Sequence, residues 1–126
     1  MARVLVVDDD ADVRDLVVRW LREDGHEVLP VDSGPLALAA VDSAGLPDLV
    51  VLDVAMPGMD GVDLLRQLRE IDQRLPAIFL TVLWSGPDVE RMAAMAAVYV
   101  VKPSSGDALR AAVRDLLADR GRVGPR

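Results

Sequence analysis

The sequence predicts an α/β fold, a parallel five-stranded sheet with helices on both faces. Three observations carry this expectation. Aliphatic runs of strand length alternate with helical stripes five times along the chain. The runs are apolar on consecutive positions, as strands covered on both faces must be, and glycines and prolines punctuate the joints. The first strand is Val4-Leu5-Val6-Val7, and a helix follows in which Val13, Leu16, Val17, Trp20 and Leu21 fall at i, i+3, i+4, i+7 and i+8. Gly25 marks its end. Glu27 to Val31 is a weaker strand, expected at an edge. A short helix covers Leu36 to Val41, with Pro35 in its first turn and Gly45 and Pro47 closing it. The third strand is Leu49 to Leu52. Val62, Leu65, Leu68 and Ile71 mark the third helix, which opens on Asp60 as N-cap with Asp63 three residues on. Ala77 to Leu80 is the fourth strand. Pro87 starts a short helix expected over Val89 to Ala96, and Tyr99 to Val101 is the fifth strand. Leu109, Ala112, Val113, Leu116 and Leu117 stripe the last helix, which Ser104 or Ser105 can cap.

At 126 residues, 52% of them hydrophobic, the chain can bury a core without staples. Cysteine is absent, which excludes disulfide frameworks, thiolate zinc sites and cysteine nucleophiles. One histidine, His26, excludes a multi-histidine metal centre; it reads as a helix-exit residue. A net charge of −7 argues against direct contact with nucleic acid or anionic membrane. The longest run without a charge or turn residue, Met92 to Val101, is ten residues, against the roughly 18 that a membrane span needs. No signal-peptide pattern opens the chain. The expected location is cytoplasmic. No internal repeat is present. Residues 1–119 read as one domain, and residues 120–126, rich in arginine, glycine and proline, as a C-terminal tail or the start of a linker.

In open α/β sheets, ligands gather beyond the carboxyl ends of the strands. There the sequence places Asp8-Asp9-Asp10 after the first strand, Asp32 after the second, Asp53 at the end of the third, Thr81 at the end of the fourth and Lys102 after the fifth. By itself Asp8 to Asp10 reads as a solvated turn with one residue capping the next helix. Asp53 alters that balance. Two carboxylates about 4 Å apart repel by about 4 kcal/mol at an effective dielectric of about 20. A hard divalent cation relieves such a cluster, and magnesium, or manganese in its place, suits oxygen ligands and few protein groups. Asp10, nearest the helix start, is expected to be a cap. Lys102 is the one lysine among fourteen basic residues. Its ammonium is a compact point charge suited to a carboxylate or a phosphoryl oxygen.

Val6-Val7-Asp8-Asp9-Asp10, Leu52-Asp53-Val54-Ala55-Met56-Pro57-Gly58-Met59-Asp60-Gly61, Thr81 and Tyr99-Val100-Val101-Lys102-Pro103 together resemble the receiver domain of bacterial two-component response regulators. The resemblance covers Arg3 to about Ala118. Its spacings are 44 residues from Asp9 to Asp53, 28 to Thr81 and 21 to Lys102. It implies a flavodoxin-like strand order 2-1-3-4-5. It also implies that Asp53 accepts a phosphoryl group from a partner histidine kinase or histidine phosphotransfer protein. A magnesium site at Asp8, Asp9, Asp53 and the backbone carbonyl of Ala55 is implied too. By the same resemblance Lys102 holds a phosphoryl oxygen, Thr81 swings to bond another, and Tyr99 turns inward as the aromatic switch. Such a domain is a phosphoprotein switch with self-catalysed acceptance and slow autodephosphorylation, not an enzyme with turnover. Its output passes to a further domain or a protein target.

The sequence departs from that pattern at Val82, Met95, Val98 and Ser104. Val82 stands where the family carries a small residue, so a branched side chain narrows the expected phosphoryl entrance. The others cluster on the face formed by the fourth helix, fifth strand and fifth helix. With the charge-free stretch, they suggest a homodimer or partner contact there; alanines packing on the sheet explain the stretch equally well. Ala55 and Leu83 are apolar where the family tunes attack by water, which predicts slow hydrolysis. Two other functions compete. Asp8 and Asp10 match the D-x-D spacing of a haloacid-dehalogenase-like phosphatase, although Asp12 and the Met56-Pro57-Gly58 loop do not suit it. A pseudo-receiver that binds partners without phosphorylation is the second.

Overall fold

The structure, a computed structural model, describes residues 2–81, 87–101 and 106–123, without the side chains of 87–89 and 120–123. Five strands and five helices alternate: β1 (Arg3–Val7), α1 (Ala11–Glu23), β2 (Glu27–Val31), α2 (Gly34–Ala44), β3 (Leu49–Asp53), α3 (Gly61–Ile71), β4 (Ala77–Thr81), α4 (Pro87–Ala93), β5 (Val98–Val101) and α5 (Gly106–Val123). All strand pairings are parallel, and the order is β2-β1-β3-β4-β5. The chain runs from β1 out to β2, then crosses back to β3. This reversal puts the topological switch point at the carboxyl ends of β1 and β3, where α/β sheets of this kind bind ligands.

Strand periodicity sorts the core into two layers. Leu5, Val7, Val50, Leu52, Ala77 and Phe79 face Ala37, Val62, Leu65, Leu68 and Met92 of α2, α3 and α4. Val4, Val6, Leu49, Val51, Ile78, Leu80 and Val100 face Val17, Leu21, Leu109 and Val113 of α1 and α5. Every residue of β3 and β4 is buried, which explains their unbroken apolar runs. β2 is an edge strand as expected, and Pro30 within it costs no interior ladder bond.

The helix ends follow their sequence signals. Asp10 caps α1, its carboxylate accepting from the amides of Asp12 and Val13. Asp60 caps α3 through the amide of Asp63 at 2.9 Å. Gly25 and Gly45 close α1 and α2 with φ of +88° and +87°. His26 has a local role, accepting from the Ala2 amide through Nδ1 at 3.3 Å. The last helix continues to Val123. Ser104 and Ser105 lie outside the described residues.

One element departs from expectation. The helix expected over Val89 to Ala96 is α4, which ends at Ala93, so the charge-free stretch from Met92 is a helix end, a turn and a strand. The turn closes with i→i+3 bonds from Met95 to Met92 and from Ala96 to Ala93, and Ala96 takes a φ of +50°. The cause lies in α3. Arg69 donates to the carbonyls of Met95 and Ala96, and also to that of Leu75 at 3.0 and 3.2 Å. One guanidinium therefore ties the α3–β4 connection to the exit of α4. Burial disfavours the Arg69 charge and lowers its pKa, and nearby Asp72 offsets part of that cost.

Candidate functional site

The carboxyl edge of the sheet gathers the expected acids. β1 and β3 are neighbours with Val7 beside Leu52, so the next residues, Asp8 and Asp53, leave the sheet side by side. Both are buried, whereas Asp9 faces solvent. Carboxylate oxygens of Asp8, Asp9 and Asp53 lie within 4.8 Å of one another. At that separation and an effective dielectric of about 20, each charged pair repels by about 3.5 kcal/mol. Three hard oxygen donors, two of them buried, fit a small divalent cation that keeps part of its water shell. Asp10 is turned away into its helix cap, and Asp32 stands apart from this group.

The loops are built to hold this cluster. Oδ1 of Asp8 accepts from the Asp10 amide at 2.9 Å, and the Asp8 amide donates to the Val31 carbonyl at 3.2 Å. Arg14, one turn into α1, donates to the Asp8 carbonyl at 2.8 Å. Oδ1 of Asp53 accepts from the Ala55 amide at 3.3 Å. Behind Asp53, Gly61 begins α3 and donates to the Val54 carbonyl at 3.0 Å. A methyl group on Gly61 would stand 2.2 Å from the Asp53 carbonyl oxygen. Only glycine lets α3 start this close behind the acid.

Thr81 ends β4 buried, with its backbone paired to Val101 of β5. Lys102 follows Val101 in the chain and lies outside the described residues, as do Val82 and Leu83. Tyr99 pairs with Phe79 across β4 and β5 and is 38% exposed, and Val98 beside it is 36% exposed. Ala55 is exposed on the loop after Asp53.

Three contributors were not singled out from sequence. Gly61 had a signal, because glycine just inside an aspartate-capped helix start opposes helix propensity and implies a close approach. Arg14 had only its position one turn after the acidic loop. Arg91 of α4 reaches Asp60 at 2.8 and 3.3 Å and Asp63 at 3.2 Å. That contact joins residues 28 and 31 apart in sequence, and no local pattern announces it. Burial opposes the Asp60 charge, but the Arg91 bonds, the Asp63 amide and the Arg91 charge outweigh it and hold this carboxyl below its ordinary value.

With the geometry in place, similarity to known proteins is informative. The family pattern described as the response regulator receiver domain matches residues 4–114. The chain is 40% identical over 116 residues to the transcriptional regulatory protein TrcR of Mycobacterium tuberculosis, covering 91% of this chain and 45% of that protein. It is 42% identical over 120 residues to the transcriptional regulatory protein PrrA of the same organism, covering 94% and 51%. Among solved structures, the chemotaxis protein CheY4 of Vibrio cholerae superposes with a TM-score of 0.84 at 30% identity, covering 92% of this chain and 98% of that one. The chain spans about half the length of the curated relatives it matches. No helix among the described residues is long and apolar enough to cross a membrane. A matched family pattern over most of its length, a shared strand order and an acidic triad at the switch point of the sheet lead to one conclusion: the chain belongs to the response regulator receiver domain family, the phosphorylation-activated switches of two-component signalling.

Proposed function

We propose that Asp53 is the phosphoacceptor of this switch and that Asp8, Asp9, Asp53 and the Ala55 carbonyl hold a magnesium ion, with manganese able to replace it. The observation that carries this reading is the convergence of three carboxylates within 4.8 Å, two of them buried. A carboxylate oxygen of Asp53 attacks the phosphorus carried by a histidine of a kinase or phosphotransfer protein. The P–N bond breaks, its electron pair returns to that ring nitrogen, and the imidazole, already protonated on its other nitrogen, leaves as the neutral ring. A cation held by Asp8, Asp9, Asp53 and the Ala55 carbonyl would supply neutralisation of charge on the cluster and on the incoming phosphoryl oxygens. The protein fixes the attacking oxygen in line, through the Ala55 amide and the α3 start behind Asp53. Thr81 and Lys102 are assigned to bonding two phosphoryl oxygens. Movement of Thr81 frees space for Tyr99, whose half-exposed position fits the resting arrangement.

Acceptance of this kind is self-catalysed and stoichiometric. Exposed, apolar Ala55 offers no group to orient an attacking water, so phospho-Asp53 should hydrolyse over hours. A half-life of seconds in magnesium would contradict that assignment. The phosphatase reading loses its basis, because the Asp10 carboxylate is committed to capping α1. By the names of its relatives, the signal would pass to an output domain that regulates transcription or to a protein target, in the cytoplasm. Any DNA contact would belong to that further domain, since this one carries a net −7. A homodimer through α4, β5 and α5 would use the exposed Val98 and Tyr99. The direct test is intact mass after acetyl phosphate and magnesium. One phosphoryl group should be added, and Asp53→Asn should abolish it. Labelling that survives in the variant moves the acceptor elsewhere.

A further inference from the structure

Helix α4 is seven residues long and follows Thr81 after a connection of five residues. Among its described side chains, Met92 is buried in the core while Ala93 is exposed. Among the described side chains of α4, Arg91 reaches α3: its Nη1 and Nη2 meet Oδ2 and Oδ1 of Asp60, and its Nη2 also meets Asp63. The guanidinium thus spans both carboxylates of the first turn of α3, and the side chains on the two sides are 34%, 25% and 43% exposed. Asp60 caps α3 just before Gly61, and Gly61 seats against the Asp53 carbonyl. One fork therefore links the helix reached from Thr81 to the helix start that backs Asp53.

We propose that Arg91 is a latch that holds α4 in its resting seat on the first turn of α3 and sets how readily phosphorylation moves the α4–β5 face. This rests on the assignment of Asp53 as acceptor. The reasoning is linkage. A contact made only in the resting state opposes any ligand that favours the active one, so removing it raises the apparent affinity for that ligand by the same factor. A bidentate pair about one-third exposed is worth roughly fivefold in such an equilibrium. Loss of fold integrity acts in the opposite direction and weakens the ligand, so the sign separates a latch from a strut.

The test uses Arg91→Gln and, as an independent release that spares the α3 cap, Asp63→Asn. With magnesium present, tryptophan fluorescence follows beryllofluoride binding, and hydrogen exchange follows the amides of Met92 to Tyr99. Arg91→Gln should bind beryllofluoride at roughly fivefold lower concentration and exchange these amides roughly fivefold faster. Asp63→Asn, which leaves the bidentate Asp60 pair in place, should shift both in the same direction by a smaller factor. Arg91→Lys, a point charge that meets one carboxylate at a time, should fall between Arg91→Gln and wild type. Unchanged midpoints with unchanged exchange, or weaker beryllofluoride binding, overturn the latch. If wild type itself does not bind beryllofluoride, the Asp53 assignment fails, and hydrogen exchange alone then decides whether Arg91 holds α4.

Discussion

Replacing Gly61 by alanine tests whether the α3 start backs the acceptor loop. The added methyl would lie 2.2 Å from the Asp53 carbonyl oxygen, 3.0 Å from its carbon and 3.2 Å from the Val54 Cα. The first distance is about 1.3 Å short of the roughly 3.5 Å at which heavy atoms rest in contact. The obstructing atoms are backbone, so no side chain can rotate aside. Overpacking costs about 1–3 kcal/mol, and a rigid neighbour puts this case at the upper end. Alanine returns up to about 1 kcal/mol through helix propensity, which leaves a net loss of about 2 kcal/mol. For a domain of this length that is a fall of roughly 8 °C in Tm. Relief of the clash must move Asp53 or α3, and a 1 Å misplacement of a reacting group can cost about 100-fold in rate. Urea unfolding and the rate of labelling by acetyl phosphate measure the two effects. Gly25→Ala is the control, since its φ of +88° is strained for alanine but nothing lies within 4 Å of the added methyl. It should lose about 1 kcal/mol and keep the labelling rate. A Gly61→Ala protein as stable as wild type and labelled at the same speed would refute the reasoning.

Other outcomes follow from the same structure. Ala96→Gly should stabilise the domain by about 1 kcal/mol in urea, because it relieves a φ of +50° at the turn after α4. Leu68→Ala, at a fully buried position of α3, should cost about 2–5 kcal/mol by the same assay. The Asp60 carboxyl is held below its ordinary 3.8, so the stability it contributes is complete above that pH and lost as pH falls through the lower folded value. The stability gap between wild type and Asp60→Asn should therefore be constant at neutral pH and narrow as the pH falls below 3.8.

What could be read from the sequence was what local chemistry and periodicity enforce. β3 and β4 announced themselves because strands buried on both faces leave no polar alternation, and Asp10 and Asp60 because caps act over three residues. The triad was legible because Asp8, Asp9 and Asp53 end two strands that the topology makes neighbours. The length of α4 was not. Its alanine-rich sequence favours a helix past Ala93, and what stops it is a guanidinium on α3, at residue 69, bonded to carbonyls at 95 and 96. Propensity was overridden by a tertiary contact of a kind that periodicity does not encode. Gly61 lay between these cases, a local residue whose reason is the carbonyl of another segment.

Thirteen of the fourteen basic residues are arginine, and four of them, Arg69 included, donate to backbone carbonyls. Arg3 donates to the carbonyls of Ala44 and Leu46 where α2 ends, Arg14 to that of Asp8, Arg22 to that of Val28 and Arg69 to those of Leu75, Met95 and Ala96. These carbonyls lie at joints or on an edge strand, where helix ends and turns leave oxygens without intrahelical partners. A guanidinium carries five donors in a planar fork and can bridge two or three such oxygens, whereas an ammonium concentrates its donors at one point. At these four positions arginine is a structural fastener that happens to be charged. Lys102 is the exception in composition and, in the proposed function, also in task. It is assigned to meet a single charged oxygen that comes and goes, for which a mobile point charge serves better than a fork.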